Sequence, residues 1–351
     1  MVEKFLWHPV LSADDLGASP VGVTLLGQDV VLWREARRTG ADTQVHAWAD
    51  HCPHRGARLS LGKVVTLDTG AVLQCPYHGW QFAGQTVATV VSQPCGRCVH
   101  VPAAPAFDPP ASHAVTTFEA RERNGLIWVR LARSTASDMP AHLQEPPKFA
   151  AWEDKMYHQV VCGPYTVGAS AARVIDNFLD LTHFGFVHDG WLGDSDHAQV
   201  QPGQVQEGPG GVVVSDCRAW QPRGYAGSQE GVWVGYRYDV IHPFAAVLRK
   251  DATEGDPMVN VIGVFVRPDG DEACTVWFCN ASMGDPSTDE EVRNFQQAVF
   301  WQDLPIVESQ RPKRLPIGRL GPIAEVHGPA DRTSSAYRRY LKRLGISLGV
   351  C

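Results

Sequence analysis

The sequence predicts an α+β protein of two domains, a small all-β domain followed by a larger domain of strands and helices. Three observations lead there. Between residues 21 and 131 short apolar runs are separated by Gly, Pro and Asp, the punctuation of an all-β domain. A polar, Pro-containing stretch at 134–147 then reads as a connection. Beyond it, strand-like pieces such as Val232-Trp233-Val234-Gly235-Tyr236 and Thr275-Val276-Trp277-Phe278 alternate with two helical segments. A length of 351 residues with 44% hydrophobic content suits two domains with ample core. The expected division is 1–133, a linker at 134–147, and 148–351.

In the first domain, Val30-Val31-Leu32-Trp33 and Leu126-Ile127-Trp128-Val129 read as strands. Two more strand-like runs each lead into a loop of metal-ligand character. Val45-His46-Ala47-Trp48 precedes Asp50-His51-Cys52-Pro53-His54-Arg55-Gly56, and Ala71-Val72-Leu73 precedes Gln74-Cys75-Pro76-Tyr77-His78-Gly79-Trp80. Each loop offers one thiolate and one imidazole. Zinc ribbons and fingers usually pair like ligands, whereas a Rieske [2Fe–2S] centre holds one iron by two Cys and the other by two His. The mixed, tight spacing of Cys52 with His54 and Cys75 with His78 therefore predicts a Rieske cluster. Trp80 is expected to pack over it and Arg55 to help position its loop.

An electron carrier needs an acceptor, and the second domain supplies a candidate in the run from Asp176 to His188. His183 and His188 lie five residues apart, a separation that turns two side chains about 140° from each other on an ideal helix. Both can bind one metal only if the helix is interrupted, and Gly185 is the expected break. Asp180, one turn before His183, suits a carboxylate that orients a ligand imidazole.

A third ligand emerges from periodicity. The segment from Asp289 to Gln310 opens with the capping-box pattern Thr288-x-x-Glu291, and Val292, Phe295, Val299 and Ile306 project onto one stripe. Asp303 falls in that stripe, where a carboxylate must be paired or coordinate a metal. Glu308 projects to the opposite, solvated face, and Pro305 costs the helix a hydrogen bond. Two His and one carboxylate form the facial triad of non-haem Fe(II) oxygenases.

Together these residues make the chain resemble, along nearly its whole length, the oxygenase (alpha) component of Rieske non-haem iron oxygenases. The resemblance places the [2Fe–2S] cluster on Cys52, His54, Cys75 and His78, and a mononuclear Fe(II) on His183, His188 and Asp303, one of each per subunit. It implies a helix-grip (START/Bet v1-like) catalytic domain and a head-to-tail homotrimer in which Asp180 links His183 to a cluster His of the neighbouring subunit. Asn177 matches an Asn that lies near the iron in many members. Arg173-Val174-Ile175-Asp176-Asn177, Val187-His188-Asp189-Gly190-Trp191-Leu192-Gly193-Asp194 and Tyr337-Arg338-Arg339-Tyr340-Leu341-Lys342-Arg343-Leu344-Gly345 are most similar to the monooxygenases of saxitoxin biosynthesis. Pro305-Ile306-Val307-Glu308-Ser309-Gln310 is similar to the methylxanthine N-demethylases. The implied reaction is O₂-dependent monooxygenation of a small, nitrogen-rich substrate, with C–H hydroxylation ahead of oxidative N- or O-demethylation. A Rieske electron-transfer or binding protein without catalytic iron is the reading of a different class.

The remaining features set limits. No G-x-G-x-x-G fingerprint is present, so electrons are expected from a separate NAD(P)H-dependent reductase. A net charge of −7 argues against a nucleic-acid surface, and the lack of a long apolar run or a signal-peptide plan predicts a cytoplasmic chain without membrane contact. Nine Cys then read as metal ligands and buried thiols rather than disulfides. Cys95-Gly96-Arg97-Cys98 has no second pair, and His100 is one place too late for haem attachment, so two ordinary thiols are expected. The basic run from Arg338 to Arg343 reads as a solvated helix face. Tyr225, Trp233, Tyr236, Phe244, Trp277 and Phe278 are expected to wall the pocket, and Asp239 and Asp256 are candidates to meet a cationic substrate.

Overall fold

The computed structural model describes residues 1–35, 44–67, 70–84, 95–133, 139–222, 231–251, 258–318 and 325–351. It divides into one unit of Trp7–Arg133 and another of Met1–Leu6 with Ser134–Cys351. The first six residues, expected with the β domain, pack instead on the second unit, where the buried Glu3 carboxylate accepts from the Ser347 and Leu348 amides at 2.6 and 2.8 Å.

The first unit is all β, as its turn-punctuated runs predict. Its strands are β1 (His8–Ser12), β2 (Val21–Leu25), β3 (Gln28–Arg34), β4 (Val45–Ala49), β5 (Lys63–Leu67), β6 (Gly70–Gln74), β7 (Gln81–Ala83), β8 (Cys98–His100), β9 (Thr117–Arg123) and β10 (Leu126–Arg130). They form an antiparallel sheet in the order β1-β10-β9-β4-β3-β2 and another in the order β5-β6-β7-β8. Strand β4 ends at Ala49, just before the first cluster loop, and the second loop joins β6 to β7. Side chains buried from both sheets, among them Trp33, Trp48, Leu73 and Phe82, form one cluster with Cys52 and Cys75. The loops that bear the thiols are therefore anchored in the core.

The second unit carries strands β11 (His158–Val167), β12 (Gln204–Gly208), β13 (Gly211–Gln221), β14 (Val232–His242), β15 (Ala245–Lys250), β16 (Val259–Gly270) and β17 (Ala273–Met283). They pair antiparallel in the order β11-β17-β16-β15-β14-β13-β12. Its helices are α1 (Ala150–Glu153), α2 (Ala171–Phe178), α3 (Phe184–Val187), α4 (Asp289–Ser309) and α5 (Arg332–Leu344). Helix α2 lies across β15, β16 and β17, α4 along β11, and α5 against β12 and β13. A long antiparallel sheet covered by helices is the expected catalytic architecture. No helix among the described residues is long and apolar enough to cross a membrane.

Several expectations change. Of the linker, 134–138 lie outside the described residues; Ala141–Leu143 form a helical turn whose Leu143 is buried in the second core. The capping box of α4 is present, with Glu291 accepting from the Thr288 amide at 2.8 Å, and the helix continues through Pro305 to Ser309. Its buried face is Gln296, Val299, Phe300, Asp303 and Val307, while Phe295 and Ile306 are exposed. The stripe is rotated because the carboxamide of Gln296 accepts from Asn280 Nδ2 at 3.3 Å and can therefore be buried. Glu308 is half-buried rather than solvated, since it accepts from the Gly168 amide at 2.7 Å. Arg338 is buried too: it pairs with Asp176 and Glu325, both at 2.8 Å, while Glu325 also meets Arg173 at 2.6 Å. Arg339 and Arg343 both reach Glu207. The basic run is thus one buried clamp and two surface ion pairs.

Candidate active site

The two cluster loops share one backbone plan. The Cys52 amide donates to the Ala57 carbonyl and the Gly56 amide to the Cys52 carbonyl, each at 2.8 Å. The second loop repeats this, with Cys75 to Trp80 at 2.8 Å and Gly79 to Cys75 at 3.2 Å. Gly56 and Gly79 adopt φ of 72° and 70°, the left-handed region where a Cβ is costly. Both thiols are buried, and the Cys52 thiol is pushed up to about 11 by burial first and by the adjacent Cys75. Two buried thiols side by side become thiolates only beside a compensating cation, a donor set that fits iron.

His54 and His78 sit at the surface of this unit with ring centroids 4.7 Å apart. Trp80 stacks on His54 at 4.4 Å and 6°, so it fixes the plane of that imidazole. Desolvation, with the charges of His78, Arg55 and His113, holds His54 below the usual imidazole range, the neutral form a metal requires. Arg55 is exposed. The other cysteine pair fits two ordinary thiols: burial raises both Cys95 and Cys98, and neither forms a disulfide.

In the second unit, the chain leaves α2 at Leu179 and turns on the Asp180 carboxylate. That group accepts from the Thr182 amide at 2.9 Å, the Thr182 hydroxyl at 2.7 Å and the His183 amide at 3.2 Å. His183 and His188 then cap the two ends of α3. The interruption therefore falls at 179–182, and Gly185 lies inside the single turn. A Cβ on Gly185 would meet the Asp194 carbonyl oxygen at 2.8 Å, and one on Gly193 the Phe184 carbonyl carbon at 2.4 Å. The two glycines let the following loop close against the turn, and the His188 carbonyl accepts the Trp191 and Leu192 amides at 2.9 and 3.0 Å.

This folding brings together one nitrogen of His183, one of His188 and one oxygen of Asp303, all within 4.8 Å of one another. Asp303 Oδ1 lies 3.4 Å from His183 Nε2 and 3.2 Å from His188 Nε2, yet it is buried with no hydrogen-bond partner among the described residues. An orphaned carboxylate oxygen facing two imidazole nitrogens fits a divalent metal. The outward nitrogens are held separately: His183 Nδ1 meets Asp180 Oδ2 at 3.1 Å, and His188 Nδ1 meets Gln302 Oε1 at 2.7 Å. Burial pushes the Asp180 carboxyl up, but the hydrogen bonds and charge of His183 and the bonds from Thr182 leave it below the ordinary range.

The triad opens into a cavity of about 890 Å³. Phe178, Phe184, Phe278 and Phe300 line it near the triad, with Asn177, Gln221, Tyr236, Asn260 and Gln296 as polar groups. Its mouth carries Trp191 and Phe295, stacked at 5.9 Å and 23°. A second, open cavity of about 450 Å³ lies beside Asn177, Asp180 and Thr182.

Residues 6–117 match the family profile described as Rieske [2Fe-2S] domain, and residues 167–345, half of the chain, match the vanillate O-demethylase oxygenase C-terminal domain. The chain belongs to the Rieske non-haem iron oxygenases. It is an O₂-using oxidoreductase whose family carries a Rieske [2Fe–2S] cluster and a mononuclear iron. Methylxanthine N1-demethylase NdmA of Pseudomonas putida is 30% identical over 97% of this chain and 89% of its own. Dicamba O-demethylase, oxygenase component, of Stenotrophomonas maltophilia is 30% identical over 88% of each chain. The solved structure of Pseudomonas putida CBB5 NdmA with caffeine aligns with a TM-score of 0.75, at 29% identity, over 97% of this chain and 90% of that one.

Within this oxygenase some expected pocket residues lie elsewhere. Tyr236 and Phe278 line the cavity. Trp233 is exposed beside Trp220, whereas Phe244 and Trp277 are buried in packing, Trp277 under Arg267. Asp239 is bound by Arg237 at 2.8 and 2.9 Å. Tyr225 and Asp256 lie outside the described residues. Sequence reasoning missed Gln302, which is marked only by its place next to Asp303. It also missed Asn260, although Asn260-x-Ile262-x-Val264-x-Val266 shows a carboxamide at the head of an inward-facing apolar run.

Proposed function

We propose that this oxygenase is an oxidative N-demethylase of a neutral, methylated heterocycle. His183, His188 and Asp303 hold the mononuclear iron, and Cys52, His54, Cys75 and His78 hold the cluster. When bound, the iron supplies O₂ activation at a C–H bond and the cluster supplies the electrons. Asp180 and Gln302 fix the ligand imidazoles with Nδ1–H outward, which leaves each Nε2 lone pair for the metal. Asn177 stands on the wall between the iron cavity and the second cavity. The phenylalanine walls exclude water and give a planar ring an apolar seat. Hydroxylation of an N-methyl carbon gives a hemiaminal, whose C–N bond breaks to release formaldehyde and leave an N–H. O₂ is balanced by two electrons and two protons, yielding one water.

The observation that carries this reading is the cavity itself: aromatic walls with carboxamide and hydroxyl groups rather than charges. Among the described residues, and apart from Asp303, its Lys and acidic lining is Lys250 and Asp285. Hydroxylation of a guanidinium alkaloid, the first expectation from sequence, finds no pair of acids among the described lining residues to offset burial of its cation. O-demethylation of an aryl methyl ether is the second reading, supported by the likeness to dicamba O-demethylase.

Electrons come from a separate NAD(P)H-dependent reductase. The working assembly is a homotrimer in which Asp180, one-third exposed beside the open cavity, hydrogen-bonds a cluster His of the adjacent subunit and so links it to His183. The test is reconstitution of the iron- and cluster-loaded chain with a surrogate reductase and NADH on methylxanthines, aryl methyl ethers and guanidinium alkaloids. Formaldehyde and loss of a methylene mass from an N-methyl heterocycle support the proposal. Gain of an oxygen atom without formaldehyde refutes it.

A further inference from the structure

The sheet wall of the cavity carries a polar row at one register. Tyr236 on β14 faces Lys250 on β15, and Lys250 faces Asn260 on β16. The neighbouring row, two residues along each strand, is Tyr238, Leu248 and Ile262, and all six residues line the cavity. Two of the polar groups have a fixed hydrogen-bonding sense. Gln221 Nε2 donates to the Tyr236 hydroxyl oxygen at 2.5 Å, so the tyrosine's own proton is left for another acceptor. Asn260 Oδ1 is buried and has no hydrogen-bond partner among the described residues, which leaves it as an acceptor on this wall. Such an atom is ordinarily completed by a ligand, an ion or a water.

We propose that Tyr236 and Asn260 are specificity-determining residues that recognise a ring N–H beside a ring carbonyl. This rests on the N-demethylase reading and names its substrate class: a neutral imide- or lactam-bearing heterocycle, still unmethylated at the nitrogen that meets the sheet. The Asn260 carbonyl accepts from the ring N–H, and the Tyr236 hydroxyl donates to a ring carbonyl. An aryl carboxylate would present acceptors only and leave Asn260 Oδ1 unpaired in a buried site. A fully N-methylated ring would put a methyl group against the same atom. Sites built to bond a substrate N–H discriminate strongly against an analogue without it.

Caffeine and theobromine form the test pair, because they differ only at the imide nitrogen between two carbonyls, which is methylated in caffeine and N–H in theobromine. Binding to the iron- and cluster-loaded chain is measured by calorimetry, with metal content of each variant as the check on folding. Theobromine is expected to bind at least about tenfold more tightly. Asn260→Leu should abolish the difference between theobromine and caffeine, and Tyr236→Phe should weaken both. Equal binding in the unaltered chain, a preference that survives Asn260→Leu, or binding of neither xanthine overturns the assignment. Formaldehyde release from caffeine in the coupled assay tests the demethylase reading separately, since caffeine has no N–H for Asn260 to meet.

Discussion

Replacement of Gln302 isolates what the amide does for the metal. His188 is 1% exposed, and its Nδ1 meets Gln302 Oε1 at 2.7 Å. In Gln302→Leu the buried Nδ1–H loses its acceptor, at a cost of about 1–3 kcal/mol. The imidazole then gains by moving its proton to Nε2, where Asp303 Oδ1 waits at 3.2 Å. That tautomer blocks the ligand nitrogen. Each ~1.4 kcal/mol is tenfold in a binding constant, so Fe(II) affinity should fall roughly 10- to 100-fold, the range found for such outer partners. Anaerobic titration against a competing chelator measures it, with Co(II) spectra reporting geometry. Gln302→Glu supplies an acceptor of the same reach and should restore binding, whereas cluster content should not change in either variant. Wild-type iron affinity in Gln302→Leu would refute the reasoning.

Three further outcomes follow from the same geometry. Asp180→Asn keeps a side chain of the same size, so iron and cluster contents should match the wild type while NADH-coupled product formation drops roughly 10- to 100-fold or more; unchanged turnover would remove Asp180 from the electron route. Gly193→Ala places a Cβ 2.4 Å from the Phe184 carbonyl carbon, forcing apart the turn that bears both histidines, and metal analysis should show iron lost but the cluster retained. Glu325 is pushed up by burial but held below the ordinary glutamate range overall by Arg173 and Arg338. Its folded pKa is therefore depressed: its stabilisation is complete above the unfolded-state value and is lost as pH falls through the lower folded one. Urea unfolding of Glu325→Gln should show reduced stability near neutrality and a shallower loss in acid; an unchanged acid slope would contradict the depressed pKa.

What sequence could reveal depended on whether the deciding partner was near in the chain. The cluster loops were legible because a Cys, a His and a left-handed Gly within five residues are a local instruction, and β4 feeds the first loop as its β-rich run implies. The capping box of α4 was equally local. The phase of that helix was not, because burial of Gln296 depends on Asn280 from β17, and Phe295 turns outward to stack on Trp191 from another loop. Arg338 reads as one more surface cation until Asp176 and Glu325 arrive from elsewhere to neutralise it. Gln302 and Asn260 went unseen for a related reason. A carboxamide carries no charge to betray it, and its role is defined by the atom it faces.

The two ligand histidines are oriented by chemically different groups, and the difference bears on the direction of electron flow. His188 is buried and is held by a neutral amide, Gln302, that lines neither the iron cavity nor the open one. His183 is held by a carboxylate that is one-third exposed and lines the open cavity beside α2. If both amide and carboxylate merely fixed tautomers, either could occupy either place, and a neutral amide would be the less costly choice at both. Keeping a charged group on the His183 side alone makes sense where a second imidazole must dock against it from outside. Substitution should therefore act asymmetrically under the proposed roles: changes at Gln302 should appear in metal affinity, and changes at Asp180 in turnover at constant metal.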